Sequence, residues 1–219
     1  MFATALVGML WAVSAGAVTI SPAAGWDLTA NATQSNELRV FSEKTNVTVT
    51  GGVFVNYLAS DIQGVETNGF TNTTGLSPVE LAANTYHSFM VHFDPDITAG
   101  SAGVTDIAID FGFDIVALIF TNLDETAPLL ASSDAIFGTA TAYDDHIYRG
   151  FEANDSLTVN GSVLEIHRMA ANSLYVDNIR VITHVPVPAS MPLMIAGFGA
   201  FVAARRRQRQ PAARKILGS

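Results

Sequence analysis

Among the side chains able to do chemistry, the carboxylates come first, and two groups of them stand where loops could gather oxygen ligands. Asp94-Pro95-Asp96 and Asp144-Asp145 each place two carboxylates within one turn, where side-chain and main-chain oxygens can converge on a hard cation such as calcium. Neither follows the EF-hand spacing, and aspartates also serve turns through local hydrogen bonds. Asp106, Asp110 and Asp114 recur every fourth residue; in a strand each step of four is about 13 Å, too far for one ion to bridge, so they read as a solvated face. The five histidines, His87, His92, His146, His167 and His184, show no metal-binding spacing, and His87 and His92 fall on opposite faces of an extended segment. The absence of cysteine excludes thiol catalysis and Cys-ligated zinc. No Gly-x-Ser-x-Gly is present, and among 20 acids no pair stands out as a glycosidase couple. The expectation is a protein without a catalytic residue or obligatory cofactor, calcium being the one candidate ion. Trp26 and Tyr143 are the candidate rings for stacking a sugar.

The elements that would carry these residues are strands. Val, Ile, Thr and Phe abound, charged residues make up only 14% of the chain, and Gly, Asn and Asp punctuate it, which disfavours disorder and helical bundles. Alternation predicts strands at 37–42, 46–50, 53–58, 86–93, 105–115, 156–159, 162–168 and 174–182. Gly51-Gly52 reads as a hairpin turn joining the second and third. Residues 61–76 read as a long loop, and 78–83 and 132–135 as turns of helix. From Thr105 onward Ile107, Ile109, Phe111, Phe113 and Ile115 share one face, and the apolar run 116–120 either continues that element or follows a bend near Gly112. Eight or so short strands predict an all-β chain: an antiparallel, jelly-roll-like β-sandwich over 18–184.

Charge divides the chain sharply. All 20 acidic residues lie between Asp27 and Asp177, and in that stretch taken to Arg180 only Arg39, Lys44, Arg149, Arg168 and Arg180 oppose them, so the body carries −15; the last fifteen residues carry +6. Such a body is repelled by phosphate backbones, which excludes nucleic acid as its partner. Residues 1–17 read as a signal helix, an apolar run ending in Ala15-Gly16-Ala17 with cleavage before Val18 by signal peptidase. Residues 185–204 lack charge and precede Arg205-Arg206-Arg207, the layout of a membrane-spanning helix held by cytoplasmic arginines. Residues 210–219 read as a disordered basic tail. Five Asn-x-Ser/Thr sequons, at Asn31, Asn46, Asn72, Asn154 and Asn160, read as the composition of an exported β protein.

The C-terminal segment resembles a known sorting signal. Val185-Pro186-Val187-Pro188-Ala189, a Gly-containing apolar stretch and then Arg205, Arg206 and Arg207 are similar to the PEP-CTERM tail, in its Val-Pro-Leu-Pro-Ala variant. The resemblance implies recognition of residues 185–209 by an exosortase, and release or transfer to the cell surface or an extracellular polymer such as an exopolysaccharide. The body, too, resembles a stretch found in many PEP-CTERM proteins. The similar words are Phe89 to Pro95, Ile115 to Phe120, Ser133 to Gly138, Tyr143, Arg149 to Glu152, Asp155 and Val176 to Thr183. For these the family implies an extracellular domain and supplies no catalytic residue. The sequence therefore predicts an exported surface or matrix protein with a structural or adhesive role, membrane-anchored before processing. A carbohydrate-binding module and a secreted hydrolase are the alternatives.

Overall fold

A computed structural model describes residues 18–29, 32–35, 37–64, 67–68, 78–95, 102–120, 129–143, 149–150, 155–171 and 176–185. The described residues are mostly β-strand, with two short helices. In order, the elements are β1 (Ile20–Pro22), β2 (Asp27–Leu28), β3 (Arg39–Ser42), β4 (Val47–Val49), β5 (Phe54–Val55), β6 (Tyr57–Leu58) and α1 (Ala59–Ile62). Then come β7 (Thr67–Asn68), β8 (Val79–Glu80), β9 (Asn84–Phe93), β10 (Ala102–Asp110), β11 (Ile115–Ile119), α2 (Leu129–Phe137), β12 (Ala142–Tyr143), β13 (Ser156–Asn160), β14 (Val163–Ala171) and β15 (Asp177–His184). Contacts divide the chain between Val185 and Pro186, and everything described here belongs to the first part.

The largest sheet runs β1-β3-β9-β15-β11-β6, with β4 also pairing β9, and a second sheet runs β10-β14-β13-β7. Phe89, Val91 and Phe93 of β9 and Ile179 and Val181 of β15 meet Ile109, Leu157, Leu164 and Ile166 of the second sheet in one apolar core. The opposite face of the large sheet is buried as well. Phe41, Met90, Ala117, Ile119 and Ile182 pack there against Leu130 and Phe137 of α2, Leu28, Val55 and Leu81. The sheet at the centre of the molecule is thus covered on both sides, and β9 and β15 are buried along nearly their whole length. α2 docks because Leu130, Ser133 and Phe137, three and four residues apart, fall on one helical face and are buried together.

Strands were legible in the sequence; some of their connections were not. Gly51-Gly52 makes no hairpin. β4 pairs with β9, β5 with β8 and β6 with β11, because Val49, Val53 and Val55 all reach the second core and a tight hairpin would leave one strand outside it. The expected helical turn at 78–83 is instead β8, part of that β5–β8 ribbon. Two short pairs, β1 with β3 and β12 with β2, are parallel rather than antiparallel. The long 105–120 pattern bends, as one of its two readings allowed: β10 lies in the second sheet and β11 in the first, with Gly112 at φ +73° between them. A bulge between Ile115 and Ala117 then shifts the alternation, so that Ile115 and Leu118 both face the first core. Asp106, Asp110 and Asp114 are exposed, as the solvated-face reading requires.

A Cβ at Gly112 would meet nothing within 4 Å, so a substitution there tests the backbone alone. Gly112→Val is expected to cost about 1–2 kcal/mol from the left-handed conformation, read from the urea unfolding midpoint. A variant as stable as the parent would show that the sheet switch does not depend on that φ.

Candidate functional site

Among the described residues of the body, two places that gather functional groups stand out. One is buried. Glu43 follows β3, Ser88 lies in β9, Asp134 and Ser133 lie in α2, Tyr143 ends β12, and Arg180 is in β15, pointing away from the first core. Arg180 donates from Nε to Glu43 Oε2 at 2.7 Å and from Nη2 to Glu43 Oε1 at 2.8 Å, with no solvent exposure of either side chain. Its Nη2 also reaches Asp134 Oδ1 at 2.8 Å, and its Nη1 donates to the Leu130 carbonyl and to Ser133 Oγ. Glu43 accepts further bonds from Ser88 Oγ at 2.8 Å and Tyr143 Oη at 2.6 Å. Arg149, wholly buried, forks onto Asp134 at 2.6 and 3.3 Å. The guanidinium carbons of Arg149 and Arg180 lie 5.0 and 5.8 Å from the Tyr143 ring centroid.

Two carboxylates and two guanidiniums make this group neutral, and each charge has partners on several sides. Burial opposes ionisation of Glu43, but Arg180 and the two hydroxyls outweigh it and hold its carboxyl below the usual range. Burial likewise disfavours the Arg180 charge, yet Glu43 and Asp134 raise its pKa. Tyr143 is pushed up to about 12 by desolvation and the adjacent Glu43 charge.

A second chain of bonds adjoins the first. With the Asn178 amide in the orientation that satisfies its neighbours, its oxygen accepts from Arg149 Nε at 3.1 Å and its nitrogen donates to His92 Nδ1 at 2.7 Å. His92 Nε2 then donates to Thr33 Oγ1 at 2.6 Å, and that hydroxyl donates to Asp94 Oδ2 at 3.2 Å. His92 is held neutral, its pKa lowered to about 4 by burial. A reactant cannot touch side chains with no exposed surface, so Glu43 and Arg180 fasten α2 and β12 to the central sheet.

The other place is open. A cleft of about 600 Å³ runs along the β1–β3 edge, lined by Val18, Thr19, Ser21, Trp26, Glu37, Leu38, Arg39, Val40, Phe41, Val104 and Ile107. Trp26, 38% exposed, tilts against Phe41 with centroids 5.2 Å apart. Arg39 Cζ stands 5.3 Å from the Trp26 ring centroid.

The sequence-predicted candidates scatter accordingly. Trp26 lines the cleft. Tyr143 is built into the buried network, its hydroxyl on Glu43 and two guanidiniums over its ring, so it joins no stacking platform with Trp26. Asp94 is buried and bonds the backbone nitrogen and hydroxyl of Thr33. Asp96, Asp144 and Asp145 lie outside the described residues, and no group of three or more metal-binding side chains occurs among those described. His87 packs on Phe113 while His92 packs on Phe41, on the two faces of β9 as anticipated. The signal segment 1–17, the tail residues Pro186, Val187, Pro188, Ala189, Arg205, Arg206 and Arg207, and 210–219 also lie outside; Val185 closes the described body. No described helix is long and apolar enough to cross a membrane.

Sequence reasoning missed Glu43, Ser88 and Thr33 altogether. Nothing in their spacing distinguishes them from residues of a solvated strand face. No protein-family model matches the chain, and neither curated proteins nor solved structures match it.

Replacing Arg180 with Met leaves Glu43 charged and buried, for an expected loss of about 3–5 kcal/mol in urea unfolding, and the double variant Glu43→Gln/Arg180→Met should recover part of it. A second expectation concerns pH. The unfolded state protonates His92 near 6.5 and the folded state only near 4, so stability should fall by roughly 3 kcal/mol as pH drops through that window. Glu43 acts in the same direction: its contribution is present above 4.5 and is lost as pH falls through its lower folded value. Unfolding free energies at stepped pH, compared with His92→Gln, would isolate the histidine: the variant's profile should be flatter between 6.5 and 4.

Proposed function

We propose that this is an exported protein of the outer surface or extracellular matrix, sorted by an exosortase through residues 185–209, with a structural or adhesive body and no turnover of its own. The observation that carries the reading is a convergence. The words by which the body resembles PEP-CTERM proteins contribute His92, Asp94, Ser133, Asp134, Tyr143, Arg149, Asn178 and Arg180, and all of these meet in one buried network. That words scattered over about 90 positions share one physical task supports the reading. The polar groups most able to do chemistry are thereby enclosed, which favours a non-catalytic role. In fold we read the two facing sheets as a jelly-roll-like sandwich, supported by the chain's passage between them at Gly112.

The position of the stem supports the same reading. β15 ends at His184, so a cut within Val185-Pro186-Val187-Pro188-Ala189 leaves the folded strand whole. A second reading, carbohydrate binding by the body, draws on the Trp26 cleft, where an exposed ring stands beside polar groups and an apolar wall.

Intact mass of the protein recovered from its host, by cell fraction, tests the leading reading. The expected species lacks residues 1–17 and the residues beyond the Pro-rich stem, and deletion of Pro186–Arg209 abolishes sorting while the body stays folded. A full-length C-terminus in the membrane fraction, or normal sorting of the deletion, would overturn it.

A further inference from the structure

The cations of the body are few, and most are committed. Arg149 and Arg180 are buried in ion pairs, and Lys44 donates to the Ile136 carbonyl at the end of α2. Arg39 and the exposed Arg168 are left: among the described residues neither side chain makes an ion pair or hydrogen bond, and of the two only Arg39 lies over a ring, that of Trp26. A guanidinium seated over an indole retains its N–H groups, which can take a carboxylate in two parallel bonds.

The surroundings of Arg39 narrow the ligand. Val104 and Ile107, both half-buried, give the cleft an apolar wall, and Thr19 and Ser21 bring hydroxyls. A volume of about 600 Å³ falls among small-ligand sites, typically ~300–1000 Å³. One side chain opposes an anion: Glu37, exposed on the same rim. Its carboxylate can instead accept hydrogen bonds from hydroxyl groups. The distant negative charges act weakly, because screening at physiological salt reduces fields beyond about 8 Å. An anion with hydroxyls at one edge and C–H surface on its faces meets each of these groups with its complement.

We propose that the Trp26–Arg39 cleft binds an acidic saccharide, a carboxylate-bearing sugar of the uronic acid class, with the carboxylate on Arg39, hydroxyls toward Glu37, Thr19 and Ser21, and C–H surface against Trp26 and the apolar wall. This rests on the second reading above, carbohydrate binding, and adds the charge of the sugar to it.

The test is calorimetric titration of the purified full chain in detergent with oligogalacturonate and oligomannuronate, and with the same oligomers after reduction of their carboxylates to alcohols. The acidic forms should bind about ten-fold tighter than the reduced ones, a preference that Arg39→Gln abolishes and Arg39→Lys partly keeps. Trp26→Ala should weaken all forms by about ten-fold, and Glu37→Gln should strengthen the acidic ones. Near-UV circular dichroism of each variant confirms that the core is intact, which the surface position of these side chains predicts. Trp26-dependent binding that is equal for acidic and reduced oligomers overturns the charge assignment and leaves carbohydrate binding standing. Binding of neither form, with the fold intact, overturns both.

Discussion

The ion pair between Arg180 and Glu43 is the constraint on which the molecule's arrangement depends. A guanidinium at the middle of a sheet covered on both faces has no water to solvate it, and the desolvation of a single unpaired ion costs several kcal/mol. Glu43 at the end of β3 answers two of its N–H groups, and Asp134, Ser133 and the Leu130 carbonyl, all from α2, answer the others. The helix therefore cannot leave the sheet without stranding a charge. Asp134 brings in Arg149, and Glu43 brings in Tyr143, so the segments around β12 and residue 149 are bound by the same requirement.

Such a network contributes less to net stability than to the choice of one arrangement. A well-packed apolar substitute for a buried ion pair is often as stable. What an apolar substitute lacks is sensitivity to register. Arg180 and Asn178 alternate in β15 with Ile179 and Val181, and Ser88 and His92 alternate in β9 with Phe89, Val91 and Phe93. Sliding β15 by one residue would turn Arg180 into the first core and expose Ile179 to the polar side. The directional chain from Arg149 through Asn178, His92 and Thr33 to Asp94 reinforces the choice, since each donor has its acceptor only in this pairing.

The same alternation explains what could be read from the sequence and what could not. Ile107, Ile109 and Phe111 against Asp106, Ala108 and Asp110 obey the ordinary rule of apolar in and polar out, and β10 was predictable from it. Ser88, His92, Asn178 and Arg180 obey the pattern and break its meaning, because their side of the sheet is covered by α2 and the β5–β8 ribbon. Period-two alternation reports which residues share a face but not whether a second layer lies over that face. Gly51-Gly52 failed for a related reason. A turn signal gives the local bend, whereas the partner of β4 is decided by where Val49, Val53 and Val55 can be buried, through contacts distant in sequence. For the site, Trp26 was legible as a candidate ring, and it lines the cleft. Its partner Arg39 was not, because a lone arginine in an amphipathic strand carries no sign that its guanidinium will find a ring instead of a carboxylate.

The place of β15 also governs how the body meets a load. It is the last described strand, it lies between β9 and β11, and Val185 follows it directly. A force applied through Val185 enters the fold at the end of a central strand. Eight residue pairs join β15 to β9, and four more join it to β11, so the strand cannot be peeled from an edge; the ladders on both sides must be sheared together. Arg180 sits in the middle of that strand, and its sliding would break the bonds to Glu43 and Asp134 in the same displacement. A load entering through Val185 would thus meet the ladders and the buried ion pair together. Edge strands β1 and β6, which would unzip one bond at a time, lie outside that line of force.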